Sequence, residues 1–192
     1  MARIGILALQ GGYEAHAKCL EASHEVKLVK KVSDLEGCHG LVLPGGESTT
    51  QSKLLERGGF GSPLKAFAAS GKPMLATCAG LILAAHRAVG ANVEPFGWLD
   101  VTVERNAWGR QIDSFEAWVD KGAFGGIDDL QQLRAMFIRA PRIVSVGARA
   151  EVVMRYQGEP IGVQQGQVVG ITCHPELVDE QRVHAYCFGG LT

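Results

Sequence analysis

Apolar runs that stop at glycine or small-residue turns and then give way to helical spacing most constrain what this chain can fold into. Residues 4–9 form one such run, ended by Gln10-Gly11-Gly12. Residues 40–43 stop at Pro44-Gly45-Gly46, and residues 74–77 stop at Cys78-Ala79-Gly80. Helical spacing follows over residues 13–23, through Ala17 and Leu20, over 49–56, and from Ala79 onward. A further strand is expected over 26–29, and a further helix over 63–69, closed by Ser70-Gly71-Lys72-Pro73. Short, wholly apolar strands alternating with helices indicate a parallel sheet covered on both faces.

The second half changes character. Residues 99–105 and 111–119 alternate apolar and polar side chains, the pattern of half-exposed antiparallel strands. Short strands are expected over 136–139, 151–156, 161–165 and 168–172, with hairpin turns at Gln157-Gly158-Glu159 and Gln165-Gly166-Gln167. A last helix is expected over 180–188. No internal repeat or linker interrupts the 192 residues, so the expectation is one domain over 1–192. Its fold class is α/β, a three-layer α/β/α sandwich with a mixed, mainly parallel central sheet and an antiparallel extension.

Composition excludes several functions. A formal net charge of −1 leaves no basic footprint for nucleic acid or an anionic membrane. No apolar run approaches the roughly 20 residues of a membrane-spanning helix. Residues 1–7 carry one arginine and a brief apolar run, which reads as a first strand and not as an export signal. The five cysteines (Cys19, Cys38, Cys78, Cys173 and Cys187) form no C-x-x-C pair and match no zinc template. Such a scattered, odd set implies reduced thiols and a cytoplasmic setting.

Cys78 carries the chemistry. A cysteine in a helix is usually a small core residue, but this one stands at a strand-to-helix turn. There a nucleophile is held clear of its neighbours, beside backbone N–H groups that can lower a thiol pKa and hold an oxyanion. Ala76 occupies the place where the usual nucleophile elbow has its first glycine. Far along the chain His174-Pro175-Glu176 offers a base with a carboxylate two positions on. On an extended segment both side chains face one way, so Glu176 can fix the imidazole tautomer while the other nitrogen takes the thiol proton. Cys173 then points the opposite way and reads as packing. Pro44-Gly45-Gly46-Glu47-Ser48 can be merely a turn and a helix cap, yet paired glycines also let backbone approach a ligand. Ligands of open α/β sheets bind outside the carboxyl ends of the strands, which places these turns together. Arg105 to Gln111 reads by spacing alone as a charged hairpin, and 137–141 as a strand ending in Arg139.

Taken together, these blocks resemble the class I (triad-type) glutamine amidotransferases, and within them the glutaminase subunits of pyridoxal 5′-phosphate synthase. The class features are Pro44-Gly45-Gly46, the Cys78 elbow and His174-Pro175-Glu176. More specific are Leu7-Ala8-Leu9-Gln10-Gly11 with His16, Glu47-Ser48-Thr49-Thr50, and Thr77 to Leu83. Arg105-Asn106, Gly109-Arg110-Gln111, Asp113-Ser114-Phe115-Glu116 and Phe137 to Pro141 complete the set. Departures are Ala76, the displaced acidic residue before His16, Leu177-Val178 without the usual threonine, and a short tail after Arg182.

The resemblance implies that Cys78 is the nucleophile, His174 the base and later acid, and Glu176 the orienter. It implies backbone oxyanion donors at Gly46 and Ala79, and glutamine contacts at Gly46, Glu47, Ser48, Arg105, Ile138 and Arg139. No metal or cofactor is implied. The partners are L-glutamine and a synthase subunit that receives ammonia in a hetero-oligomeric complex. Three rivals remain open at this level: the amidotransferase of another ammonia-using synthase, such as imidazole glycerol phosphate synthase; a non-catalytic binding subunit of the same fold; and a cysteine hydrolase acting on peptides.

Overall fold

The computed structural model describes residues 1–106, 114–120, 122 and 132–191. The parallel half is built as the apolar runs require. Strand β1 (Arg3–Leu7) leads to helix α1 (Tyr13–Leu20), β2 (Glu25–Val29), a 3₁₀ turn, β3 (Gly40–Leu43), α2 (Ser48–Arg57), α3 (Gly61–Ala69), β4 (Met74–Thr77) and α4 (Ala79–Ala84). Then come β5 (Ala85–Val89), β6 (Leu99–Glu104), β7 (Phe115–Asp120), β8 (Gln132–Phe137), β9 (Arg142–Val146), β10 (Glu151–Tyr156), β11 (Glu159–Gln165), β12 (Val168–Ile171) and α5 (Arg182–Phe188).

Among the described residues, nine strands form the main sheet in the order β2-β1-β3-β4-β12-β11-β10-β7-β8. The first five are parallel and the last four antiparallel. The central strands bury both faces by strict alternation. Leu41, Leu43, Met74 and Ala76 face the core beneath α2, α3 and α4, while Val42 and Leu75 face that beneath α1 and α5. Burying a leucine or valine side chain in such a core is worth about 1.5–3 kcal/mol, which is why no polar residue interrupts these runs until Thr77. The expected hairpins are present: Gln157 and Gly158 both have positive φ (50° and 83°), as a tight turn between twisted strands requires.

One correction concerns the second half. The 99–105 run was expected in the antiparallel extension. Instead β6 lies in a separate three-stranded sheet, parallel to β5 and antiparallel to β9. Neither β5 nor β9 was anticipated. His86 and Arg87 are exposed, so β5 lacks the apolar alternation that marks a strand, and it follows α4 with no intervening residue. The main extension bridges back to the parallel half at its far edge. Met136 of β8 exchanges both backbone hydrogen bonds with His174 (2.8 and 3.2 Å), folding the far edge back onto the parallel half. Stacked Phe115 and Phe137 (ring centroids 4.8 Å apart), with Tyr156 against Phe137, fill the curve.

Candidate active site

Strand register assembles the site. β4 lies between β3 and β12, with Ala76 opposite both Leu43 and Gly170. The residues just beyond these strand ends therefore meet: Gly45-Gly46 after β3, Cys78 after β4 and His174 after β12. All three line a cleft of about 300 Å³, together with Gln10, Arg105 and Arg139.

The turn at Cys78 is strained. Its φ of 49° and ψ of −102° lie where L-residues are rarely found, and its N–H is tied to the Ile171 carbonyl at 2.8 Å. The methyl of Ala76 is accommodated, since it is buried in the core on the α4 side. Gly80 explains why a small residue must follow: a Cβ there would sit 2.2 Å from the Leu43 carbonyl oxygen. Ala79, the first residue of α4, and Gly46 have N–H groups with no backbone acceptor among the described residues.

His174 and Glu176 are not on an extended segment as expected. His174 precedes a 3₁₀ turn over Pro175–Val178, and that turn brings the carboxylate back beside the ring. Nδ1 of His174 lies 2.7 Å from Glu176 Oε1, which leaves Nε2 for the thiol. Burial opposes charge on His174, but hydrogen bonds to Cys78 and Glu176 outweigh it and raise its pKa well above the ordinary imidazole value. Burial likewise opposes ionisation of Glu176, yet His16 and His174 outweigh it and hold the carboxyl below the usual range. The buried pair thus favours imidazolium beside carboxylate. Cys173 is fully buried on the α1 side, as expected of a packing residue, and burial pushes its thiol pKa far up.

The Gly46–Ser48 loop is held from two directions. Gln10 Oε1 accepts the Glu47 N–H at 3.1 Å, and the Gly45 carbonyl accepts the Gly12 N–H at 3.0 Å. The cap of α2 is Glu47: its carboxylate accepts Thr49 N–H (3.1 Å) and Thr50 N–H (2.7 Å). Arg105 donates to the same carboxylate at 3.0 Å. Ser48 is buried at the cleft, and its hydroxyl has no partner among the described residues. Ile138 and Arg139 enter the cleft from the end of β8, where Arg139 turns the chain with φ 44°.

The Thr50 hydroxyl, then the Thr50 and Thr49 amides and Arg105, hold the Glu47 pKa at about 2 against partial desolvation. Because the folded pKa is depressed, the cap is intact above the ordinary carboxylate range and is lost as pH falls towards about 2. A titration of the Thr50 amide resonance should show no transition near pH 4.5 and one near 2; a midpoint at the ordinary value would mean the carboxylate does not cap the loop.

All the candidate residues thus come together except the backbone donor at Ala79, which does not itself line the cleft. Ala107 to Asp113, including Gly109-Arg110-Gln111, lie outside the described residues. Glu116 of the Asp113 block pairs with Arg134 across β7 and β8 (2.7 Å), away from the cleft. Gln10, Thr77 and His184 take part in ways that spacing did not reveal. Gln10 had the signal of a strand-end turn, whereas nothing in the sequence singles out His184.

The profile of the SNO glutamine amidotransferase family matches residues 6–189. The chain belongs to that family. It is 48% identical over 187 residues to pyridoxal 5′-phosphate synthase subunit PdxT of Geobacillus sp. strain WCH70, covering 97% of this chain and 95% of the relative. It is 50% identical to the protein of the same name from Halalkalibacterium halodurans, covering 97% and 93%. A crystal structure described as a glutamine amidotransferase superposes with a TM-score of 0.87 at 37% identity, over 97% of each chain. PurLQS from Thermotoga maritima shares the fold at 19% identity, with a TM-score of 0.72.

Proposed function

We propose that this chain is the glutaminase subunit of a pyridoxal 5′-phosphate synthase, hydrolysing L-glutamine to L-glutamate and ammonia at Cys78, His174 and Glu176. The observation that carries this reading is the strained Cys78 turn sharing one cleft with the His174–Glu176 pair, beside a loop whose buried Ser48 hydroxyl has no partner among the described residues.

The thiolate of Cys78 attacks the side-chain amide carbon, and the resulting oxyanion is held by the N–H groups of Gly46 and Ala79. The C–N bond breaks as the His174 imidazolium gives its proton to the leaving nitrogen, releasing ammonia and leaving a γ-glutamyl thioester. Water then attacks the thioester, losing its proton to His174, and glutamate departs while the proton stays to restore the ion pair. Glu176 keeps the ring oriented throughout. Gly46, Glu47, Ser48, Arg105, Ile138 and Arg139 bind glutamine; Arg105 is held in readiness by Glu47, a carboxylate standing where a substrate carboxylate can compete.

The whole chain serves as one catalytic unit, and its setting is the cytoplasm. Five unbridged cysteines suit a reducing compartment, and no helix among the described residues is long and apolar enough to cross a membrane.

Ammonia from a solitary glutaminase is wasted, which favours a catalytic loop completed by the partner. Addition of the synthase subunit should therefore raise turnover about 10²–10³-fold, the worth of one oxyanion donor. Steady-state glutamate release with and without the synthase checks this. Equal turnover in the two cases would reject a partner-completed oxyanion hole, and no glutamate release in either would reject the glutaminase reading.

A further inference from the structure

Behind the triad lies a buried polar cluster that the proposed chemistry leaves unused. His16 of α1, fully buried, places Nε2 3.3 Å from Glu176 Oε1 and 3.1 Å from Thr77 Oγ1. Its Nδ1 is 2.8 Å from Nε2 of His184 on α5, a ring 1% exposed. These groups gather because Thr77 continues the alternation of β4 towards the α1 and α5 face, one residue before the nucleophile.

The chemistry of the partners decides the proton positions. An ionised carboxylate only accepts, so His16 Nε2 must carry the proton that faces it. In the neutral ring Nδ1 then accepts, and His184 Nε2–H donates to it. Burial lowers the His184 pKa to about 3, which keeps that ring neutral. Glu176 Oε2 has no partner among the described residues, so the buried charge rests on Oε1, which His174 Nδ1 meets at 2.7 Å and His16 Nε2 at 3.3 Å. A carboxylate so deeply buried does not stay ionised on a single contact without large cost.

We infer that His16, oriented by His184, is a positioning residue that ties the Glu176 carboxylate, through its own ring, to Thr77 on the strand carrying the nucleophile. It touches neither thiol nor substrate. It acts by keeping the orienting carboxylate ionised and in place, so that His174 points at Cys78. The inference deepens the glutaminase reading and rests on it.

The test uses the full chain with the synthase subunit present. His16→Leu should lower kcat about 10- to 100-fold, as loss of an orienting partner does elsewhere, with KM for glutamine unchanged. His16→Gln, whose amide can donate to Glu176 and Thr77, should restore kcat to within about three-fold of the parent. His184→Phe keeps the core filled and should lower kcat about three- to ten-fold, again without change in KM. Should His16→Leu fail to fold, His184→Phe alone decides the matter. Parent-level kcat in folded His16→Leu or His184→Phe, or no rescue by glutamine, would overturn the inference, because a packing role predicts no such recovery. Iodoacetamide labelling of Cys78 separates this from the parent reading: slowed labelling in His16→Leu, restored in His16→Gln, supports the positioning role even if the parent releases no glutamate.

Discussion

Cys78→Ala is expected to abolish glutamine hydrolysis while the protein still folds. Loss of the nucleophile removes the covalent route, and removal of a triad nucleophile elsewhere costs about 10⁶-fold in kcat. The structural cost is small. Alanine fills most of the volume of cysteine, and the strained φ of 49° is imposed by β4 and α4 whichever side chain stands there. A loss of about 1 kcal/mol corresponds to about 2–4 °C in Tm for a chain of this size. Glutamate release and thermal melting, measured on one preparation, check both halves. Hydrolysis near the parent rate in the variant would remove Cys78 from the mechanism.

Gly45→Ala should be nearly as damaging to turnover, for a geometric reason. A Cβ at position 45 would lie 2.2 Å from His174 Cε1 and 3.1 Å from each ring nitrogen. The ring has to swing away, giving up either its 2.7 Å contact with Glu176 or its alignment with Cys78. A displacement of about 1 Å at a reacting group costs about 10²-fold, so kcat should fall at least that far. Tm should change little, because a side chain at the cleft can move where backbone cannot. Gly80→Ala makes the contrast, since its Cβ would meet the Leu43 backbone carbonyl at 2.2 Å and must disturb the sheet itself. Full turnover in Gly45→Ala would show that His174 is not held against the Pro44-Gly45-Gly46 turn.

The parallel half was legible because each strand is buried on both faces, leaving apolar runs bounded by glycine. β3 falls on the expected 40–43, and the Cys78 turn follows β4 as expected. The site inherits that legibility, since adjacent parallel strands put their end turns together whatever the side chains. What stayed hidden lacks a local signature. β5 is mostly exposed, and β9 spans only five residues beyond Pro141. The pairing of His174 with Met136 joins residues 38 apart and depends on how the extension curls, which no pattern in either segment encodes. The approach of Glu176 to His174 was read correctly in outcome but for an extended chain; the proline-initiated 3₁₀ turn supplies it instead. His184 contacts His16 across 168 residues, a relation visible only once α1 and α5 share a face.

The central claim is a γ-glutamyl thioester on Cys78 that partitions to glutamate and ammonia. Intact-protein mass measurement after acid quenching, with the full chain turning over L-glutamine beside the synthase subunit, tests it most directly. The expected result is one γ-glutamyl adduct mapped to Cys78, equal amounts of glutamate and ammonia released, and no adduct in Cys78→Ala. An adduct on Cys19, Cys38, Cys173 or Cys187 instead, or glutamate formed with no thioester under conditions that preserve one, would contradict it.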